Sequence, residues 1–173
     1  DLGTGDGQLL PMLSPVFDRI IAVDRSPARL ARCAARVAQL GLPNVRLREG
    51  DADDADLAGE VAQRGGADIV MMVRVLHHAA RPDETVAAAA RLLRRGGHLI
   101  IVDYVPHTDE AMRAQGDVWL GFEPDRLRSC LENAGLDTIA LTPLTAPAAF
   151  ADDTGAPLPA HQLAIGRRAV PHN

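Results

Sequence analysis

The sequence predicts an α/β protein: a doubly wound, mostly parallel sheet in a three-layer α/β/α sandwich, with a C-terminal antiparallel hairpin strand. Three observations carry this expectation. Short apolar runs alternate with helical patterns along the chain. Prolines mark helix starts and glycines mark helix ends. The opening DLGTGDG is a glycine-rich turn of the kind that passes a strand into a helix. A chain of 173 residues is one domain long, enough to bury a full core.

Taken in order, "QLLPMLSPV" predicts a short helix, with Pro11 in its first turn, where backbone N–H groups lack intrahelical partners. "RIIAVD" reads as a buried strand ending at Asp24. Ser26 then caps a helix that has Pro27 at its first position and Gly41 as its stop. "NVRLREG" is the next strand. "ADIVMMV" is a continuous apolar run, expected of a central strand covered on both faces. Pro82 starts another helix, which Gly96 and Gly97 are expected to end, and "HLIIVDY" follows as a second central strand. Helices are expected over residues 108–116 and 124–134, the latter closed by Gly135. "DTIALTPL" and "HQLAIGRRA" supply the last two strands, with the Pro-, Ala- and Asp-rich stretch between them read as an exposed loop.

Composition narrows the function. Aromatic residues are only 3%, so alanine, leucine and valine must carry the packing. A net charge of -5 argues against nucleic-acid binding by this domain, which would need a basic face. The two cysteines, Cys33 and Cys130, lie far apart without zinc-site spacing, and read as reduced residues of a cytoplasmic protein. No apolar run approaches the roughly 20 residues of a membrane span, so neither a membrane-spanning segment nor a basic-then-apolar leader is expected. All 18 basic residues are arginine, a bacterial, high-GC coding style.

The glycines Gly3, Gly5 and Gly7 form G-x-G-x-G, not the G-x-G-x-x-G of a dinucleotide fingerprint, and Gln8 stands where that third glycine should be. Such a turn brings backbone N–H groups close to a ligand. Asp1 precedes it, and a carboxylate there suits a ligand with a positive end better than a pyrophosphate. Asp24 ends the second strand, where an acid can accept both ribose hydroxyls. Asp51, followed by Ala52, ends the third, where a carboxylate can take an adenine amino proton. Each acid closes a strand, at the crevice where open α/β sheets bind ligands.

With these residues in order, the sequence resembles the class I S-adenosylmethionine-dependent methyltransferases, through DLGTGDG, "IAVDRSP", "REGDADD", "ADIVMMVRVLHHAARP" and "AARLLRRGGHLIIVDYVP". The resemblance implies a Rossmann-like fold and S-adenosyl-L-methionine as cofactor. It implies a cofactor-binding set of Asp1, Gly3, Thr4, Gly5, Asp24, Arg25, Asp51, Ala52 and Arg74. The stretch "HTDEAMRAQGDVWLGFEPDRLRSCLENAGL" is similar to the methyltransferase domain of bacterial proteins that also carry an ArsR-type repressor domain, and to the UbiE-like group. In that family a central first strand precedes the glycine turn. Its absence here implies a longer protein, extended by a strand and cap helices or by a whole DNA-binding domain.

Methyl transfer needs a base only if the acceptor must lose a proton. His77, His78 and His107 are the candidates, since histidine titrates near neutrality. Adjacent histidines are expected to point apart on a helix, so no metal site is expected. Arg74 can pair an anionic substrate or the cofactor carboxylate. Trp119 and Phe122 either line an acceptor pocket or pack as core. An arsenic acceptor is disfavoured, because it would want several cysteines.

The expected partner is a small-molecule acceptor; no membrane partner is expected, and the sequence leaves room for a homodimer. The alternative is a module that senses the methyl donor or its product for an attached regulator. A nicotinamide-dependent oxidoreductase is disfavoured by the missing third glycine and the lack of any lysine. Amino-group methylation of nucleic acid is disfavoured because "VRVLHH" lacks the N/D-P-P-Y/F pattern.

Overall fold

The computed structural model describes residues 1–144 and 159–170. It divides into two compact units, Asp1–Glu60 and Val61–Asn173.

The first unit begins with the glycine turn. Residues before the turn run parallel to strand β1 (Ile20–Asp24), with a bridge between Leu2 and Val23. The Asp1 nitrogen donates to Ile21 O at 2.9 Å, Val23 N–H donates to Asp1 O at 2.8 Å, and Gly3 N–H donates to Val23 O at 2.8 Å. Helix α1 (Leu10–Leu13) is a single turn with Pro11 near its start. Helix α2 (Pro27–Leu40) has the expected ends: Ser26 Oγ accepts from Arg29 N–H, and Gly41 closes it in the left-handed conformation. Strand β2 (Val45–Glu49) pairs in parallel with β1, Ala22 opposite Leu47. Helix α3 (Ala55–Ala62) follows. The core of this unit is Leu10, Ile20, Ala22 and Cys33, packed by Leu13, Phe17, Val37, Val45 and Leu47. Burying side chains of this size stabilises by about 1.5–3 kcal/mol each for the larger ones.

The second unit holds a four-stranded sheet in the order β3-β4-β6-β5. Strands β3 (Ala67–Val73) and β4 (Leu93–Tyr104) are parallel. Strand β6 (His161–Arg168) runs antiparallel to β4 and to β5 (Leu136–Leu144). The C-terminal antiparallel strand expected from the sequence is therefore present, inserted between β4 and β5. Helix α4 (Pro82–Leu92) buries Val86, Ala88, Ala89, Ala90 and Leu92, so alanine does carry much of this packing. Helix α5 (Pro124–Asn133) buries Leu127, Cys130 and Leu131.

Three expectations are corrected. Helix α4 stops at Leu92, not at the glycine pair, and Gly96 and Gly97 lie inside the lead-in of β4. There Leu93 pairs with Ala67 and His98 with Ile69, so the intervening residues, Gly96 at φ 74°, form an irregularity in the ladder rather than a helix cap. Strand β3 stands at one end of the four-strand order, and Val70 and Met72 are buried while their neighbours are only partly covered. Its apolar run is thus half-buried in alternation. The helix expected over residues 108–116 is present as a 3₁₀ helix, Glu110–Gln115, capped by the Asp109 carboxylate on Ala111 N–H. Finally, the "LHH" residues lie on a 3₁₀ turn, Leu76–His78, on which the two histidine rings converge instead of pointing apart, with centroids 4.1 Å from each other.

Of the expected loop between β5 and β6, residues 145–158 lie outside the described residues. Among the described residues no helix is long and apolar enough to cross a membrane.

Candidate functional site

In the first unit, Asp24 organises the glycine turn. Its Oδ2 accepts from Gly5 N–H at 2.8 Å and its Oδ1 accepts from Ser26 N–H at 2.8 Å, so one buried carboxylate ties the turn to the start of α2. Each oxygen keeps a lone pair for a further donor. Gly3, Gly5 and Gly7 all have φ between 57° and 73°, a conformation that disfavours any side chain. Gly7 is there for packing, since a Cβ would lie 2.6 Å from Cys33 Sγ. Gly5 is different. A Cβ there would meet only Arg29 Nη1, at an ordinary 3.7 Å. The bend leaves room beside its backbone, which fits a turn that lets a ligand approach closely.

The other residues expected in this set are arranged as follows. Thr4 is buried, and its N–H donates to Val23 O at 2.9 Å. Asp51 is about half exposed and faces Arg25, with Nε–Oδ2 at 3.6 Å. The Ala52 N–H is taken by Asp51 Oδ1 at 2.7 Å, and Ala52 itself is buried. The exposed Asp51 carboxylate keeps its Oδ2 side for Arg25 or a ligand amino group.

In the second unit, the ends of β3 and β4 gather the remaining candidates. Arg74 follows β3 with φ 58°, a left-handed conformation that costs a non-glycine residue about 1–2 kcal/mol. Its N–H donates to Val102 O, and its Nε donates to Tyr104 Oη at 3.2 Å. Arg74 is therefore engaged with Tyr104, whose phenol burial pushes above its ordinary pKa.

His77 is 2% exposed and fixed on three sides. Its Nδ1 lies 2.7 Å from Asp103 Oδ1, its backbone N–H donates to Asp103 Oδ2 at 3.2 Å, and its Nε2 lies 3.6 Å from Asp117 Oδ1. Its carbonyl accepts from both Val118 and Trp119 N–H at 3.0 Å. His78 has a side chain about one-third exposed. Its Nδ1 lies 3.1 Å from Gly116 O and 3.4 Å from Asp117 Oδ1. Burial, then the neighbouring His77, holds its pKa below the ordinary 6.5, so the ring is neutral at pH 7. His107 Nδ1 accepts from Asp109 N–H at 3.3 Å, which leaves the proton of the neutral ring on a buried Nε2 that has no partner among the described residues. Trp119 is 37% exposed, donates from Nε1 to Ala79 O at 2.9 Å, and stacks on the buried Phe122 at 6.0 Å.

Asp117 is the residue that sequence reasoning missed. It is 5% exposed and carries no local signal. Its segment is brought onto the 3₁₀ turn by the backbone bonds from Val118 and Trp119 to His77 O, together with the His78–Gly116 and Trp119–Ala79 bonds. Both cysteines are free and buried. Burial raises the Cys33 thiol and pushes Cys130 up to about 11, so both stay protonated.

Comparison with known proteins identifies the class. Residues 1–101, more than half of the chain, match the family described as Methyltransferase domain, and the chain belongs to that family. It is 30% identical over 105 residues to a phosphatidylethanolamine N-methyltransferase of Cereibacter sphaeroides, matching 60% of this chain and 49% of that protein. It is 29% identical over 133 residues to the hybrid PKS-NRPS synthetase lepA of Aspergillus flavus, matching 73% of this chain but 3% of that protein. The chain thus spans half or less of these relatives. Its fold is shared with phosphoethanolamine N-methyltransferase 2 of Haemonchus contortus, solved in complex with S-adenosyl-L-methionine. That match has a TM-score of 0.74 at 15% identity, over 97% of this chain and 47% of that one.

Proposed function

We propose that this chain transfers a methyl group from S-adenosyl-L-methionine to a small-molecule acceptor. The observation that carries the reading is the glycine turn, clamped by Asp24 and open beside Gly5. When bound, the cofactor supplies a sulfonium-activated methyl group. On this reading Asp24 accepts ribose hydroxyls with the lone pairs its backbone bonds leave over. The Gly3–Gly5 backbone lies against the methionine part together with Asp1 and Thr4. Asp51, beside Arg25, accepts from the adenine amino group. Arg74 contributes charge, positioned by Tyr104.

In the second unit His78 is the proton acceptor for acceptors that must lose one. Its Nδ1–H donates to the Gly116 carbonyl, which puts the lone pair of the neutral ring on Nε2. His107 offers the complementary group, an N–H donor on Nε2. His77, locked between Asp103 and Asp117, is a positioning residue. The relatives named for methylating phosphatidylethanolamine and phosphoethanolamine make ethanolamine derivatives the first acceptors to screen. The donor-sensing alternative is favoured by no feature of either unit, and turnover of any acceptor at rates above solvent background excludes it.

Calorimetric titration with S-adenosylmethionine and S-adenosylhomocysteine tests the cofactor site. Micromolar binding is expected. Gly5→Ala adds one methyl into the open side of the turn, and should weaken binding about tenfold or more while costing about 1 kcal/mol of stability. Unchanged affinity in a folded Gly5→Ala chain removes the turn from the cofactor site.

The pH dependence tests His78. Its folded pKa lies below 6.5, so the free base is present at and above neutrality and is lost as pH falls through that lower value. Activity on an acceptor that must be deprotonated should be level above pH 6.5 and decline on the acid side, with a midpoint below 6.5. His78→Asn should lose that acid limb along with most of the rate. If the limb persists in the variant, the base is another group.

A further inference from the structure

We propose that His77, His78 and Asp117 form a binding site for one divalent transition-metal ion of the zinc type. All three ligands lie in the second unit; two of them, His77 and His78, are the residues given positioning and base roles above, and the metal reading rests on their geometry rather than on methyl transfer. One ligand atom from each of the three residues lies within 4.8 Å of the other two. Asp117 Oδ1 is 3.6 Å from His77 Nε2 and 3.4 Å from His78 Nδ1. Zinc–ligand bonds of about 2.0–2.2 Å at tetrahedral angles place donor atoms about 3.3–3.6 Å apart. Two of the three separations already have the required size.

The surroundings are those of a ligand set. Asp103, fully buried, accepts from His77 Nδ1–H at 2.7 Å. That bond fixes the ring and puts the lone pair on Nε2, the atom facing Asp117. A carboxylate behind a histidine in this way is the usual support of a metal-bound imidazole. Asp117 shows the complementary need. Its side chain is almost wholly buried and its Oδ2 has no hydrogen-bond partner among the described residues. A buried carboxylate oxygen left unpaired is costly. Two buried carboxylates beside two imidazoles give the pocket the negative charge that a dication offsets.

The donor set also selects the ion. Two imidazoles and one carboxylate suit zinc and its neighbours rather than magnesium or calcium, which prefer oxygen. Three protein ligands leave a position for water, and the exposed third of His78 gives a route in from solvent. In the ion-free chain His78 Nδ1–H donates to Gly116 O. A bound ion takes that nitrogen's lone pair and leaves the ring proton on Nε2, so the base role proposed for His78 belongs to the ion-free chain and the metal-bound ring is a donor instead.

The test is a titration of the chelator-treated chain with zinc chloride by calorimetry, repeated with cobalt(II) to read visible absorption. One ion per chain is expected, with cobalt bands of tetrahedral intensity. His78→Ala and Asp117→Asn should each weaken binding about tenfold or more, while His98→Ala, a histidine outside the cluster, should not. His78 is part-exposed, so its variant keeps the test meaningful even if Asp117→Asn fails to fold. Absence of binding by the folded parent, or equal affinity in His78→Ala, overturns the proposal.

Discussion

Replacing Asp24 with alanine should abolish measurable S-adenosylmethionine binding, a loss of about a hundredfold or more. The residue has two tasks. Its oxygens take the Gly5 and Ser26 N–H groups, and so set the path of the turn. Their remaining lone pairs are those proposed to receive the ribose hydroxyls. A hydrogen bond to a charged group is worth about 1.5–3 kcal/mol, so two ribose bonds alone account for a hundredfold or more. Asn is no rescue, because its NH₂ must face one of two backbone donors. The variant should also unfold earlier, since both backbone N–H groups lose their acceptor. Calorimetry on the variant, with its unfolding followed in parallel, separates the two effects. A folded Asp24→Ala chain that binds within threefold of the parent contradicts the ribose role.

The first unit was largely legible in the sequence because its signals are local. Ser26, Pro27 and Gly41 each act within a turn of their own position, and the Asp24 carboxylate takes the Ser26 N–H two residues on; its bond to Gly5 N–H spans 19 residues and was signalled only by the acid at the strand end. Local chemistry survives folding unchanged. The second unit was legible only in outline. Gly96 and Gly97 look like a helix stop, yet the pairing of β4 with β3 draws Leu93 into the strand and turns the glycines into a ladder irregularity. Pairing partners decide that, and they are far away in sequence.

The histidines make the same point at the candidate site. Read as helix neighbours, His77 and His78 diverge. On a 3₁₀ turn held from outside by Asp103 and by the Gly116–Trp119 segment, they converge. Asp117 has no periodicity, cap or motif to announce it. Its importance comes from where the bonds of its segment to His77, His78 and Ala79 put it.

Asp103 should therefore be the most costly single residue to remove from the second unit. Its carboxylate accepts from His77 N–H at 3.2 Å, His77 Nδ1–H at 2.7 Å and Tyr104 N–H at 2.8 Å. Asp103 is 0% exposed and His77 2%, so water cannot replace the lost acceptor. Alanine strands all three donors, a change expected to cost about 3–5 kcal/mol. For a chain of this size that lowers the unfolding midpoint by about 6–20 °C. Asparagine should fall between the two. Its carbonyl oxygen can serve His77 Nδ1–H and Tyr104 N–H, while its NH₂ is turned against His77 N–H. Thermal unfolding of the three proteins gives the order, and zinc titration of the asparagine variant adds a second reading. With the His77 ring less firmly held, zinc affinity should drop about tenfold or more even though no ligand atom has changed. An alanine variant that melts within a degree or two of the parent means that His77 finds another acceptor, and the support assigned to Asp103 fails with it.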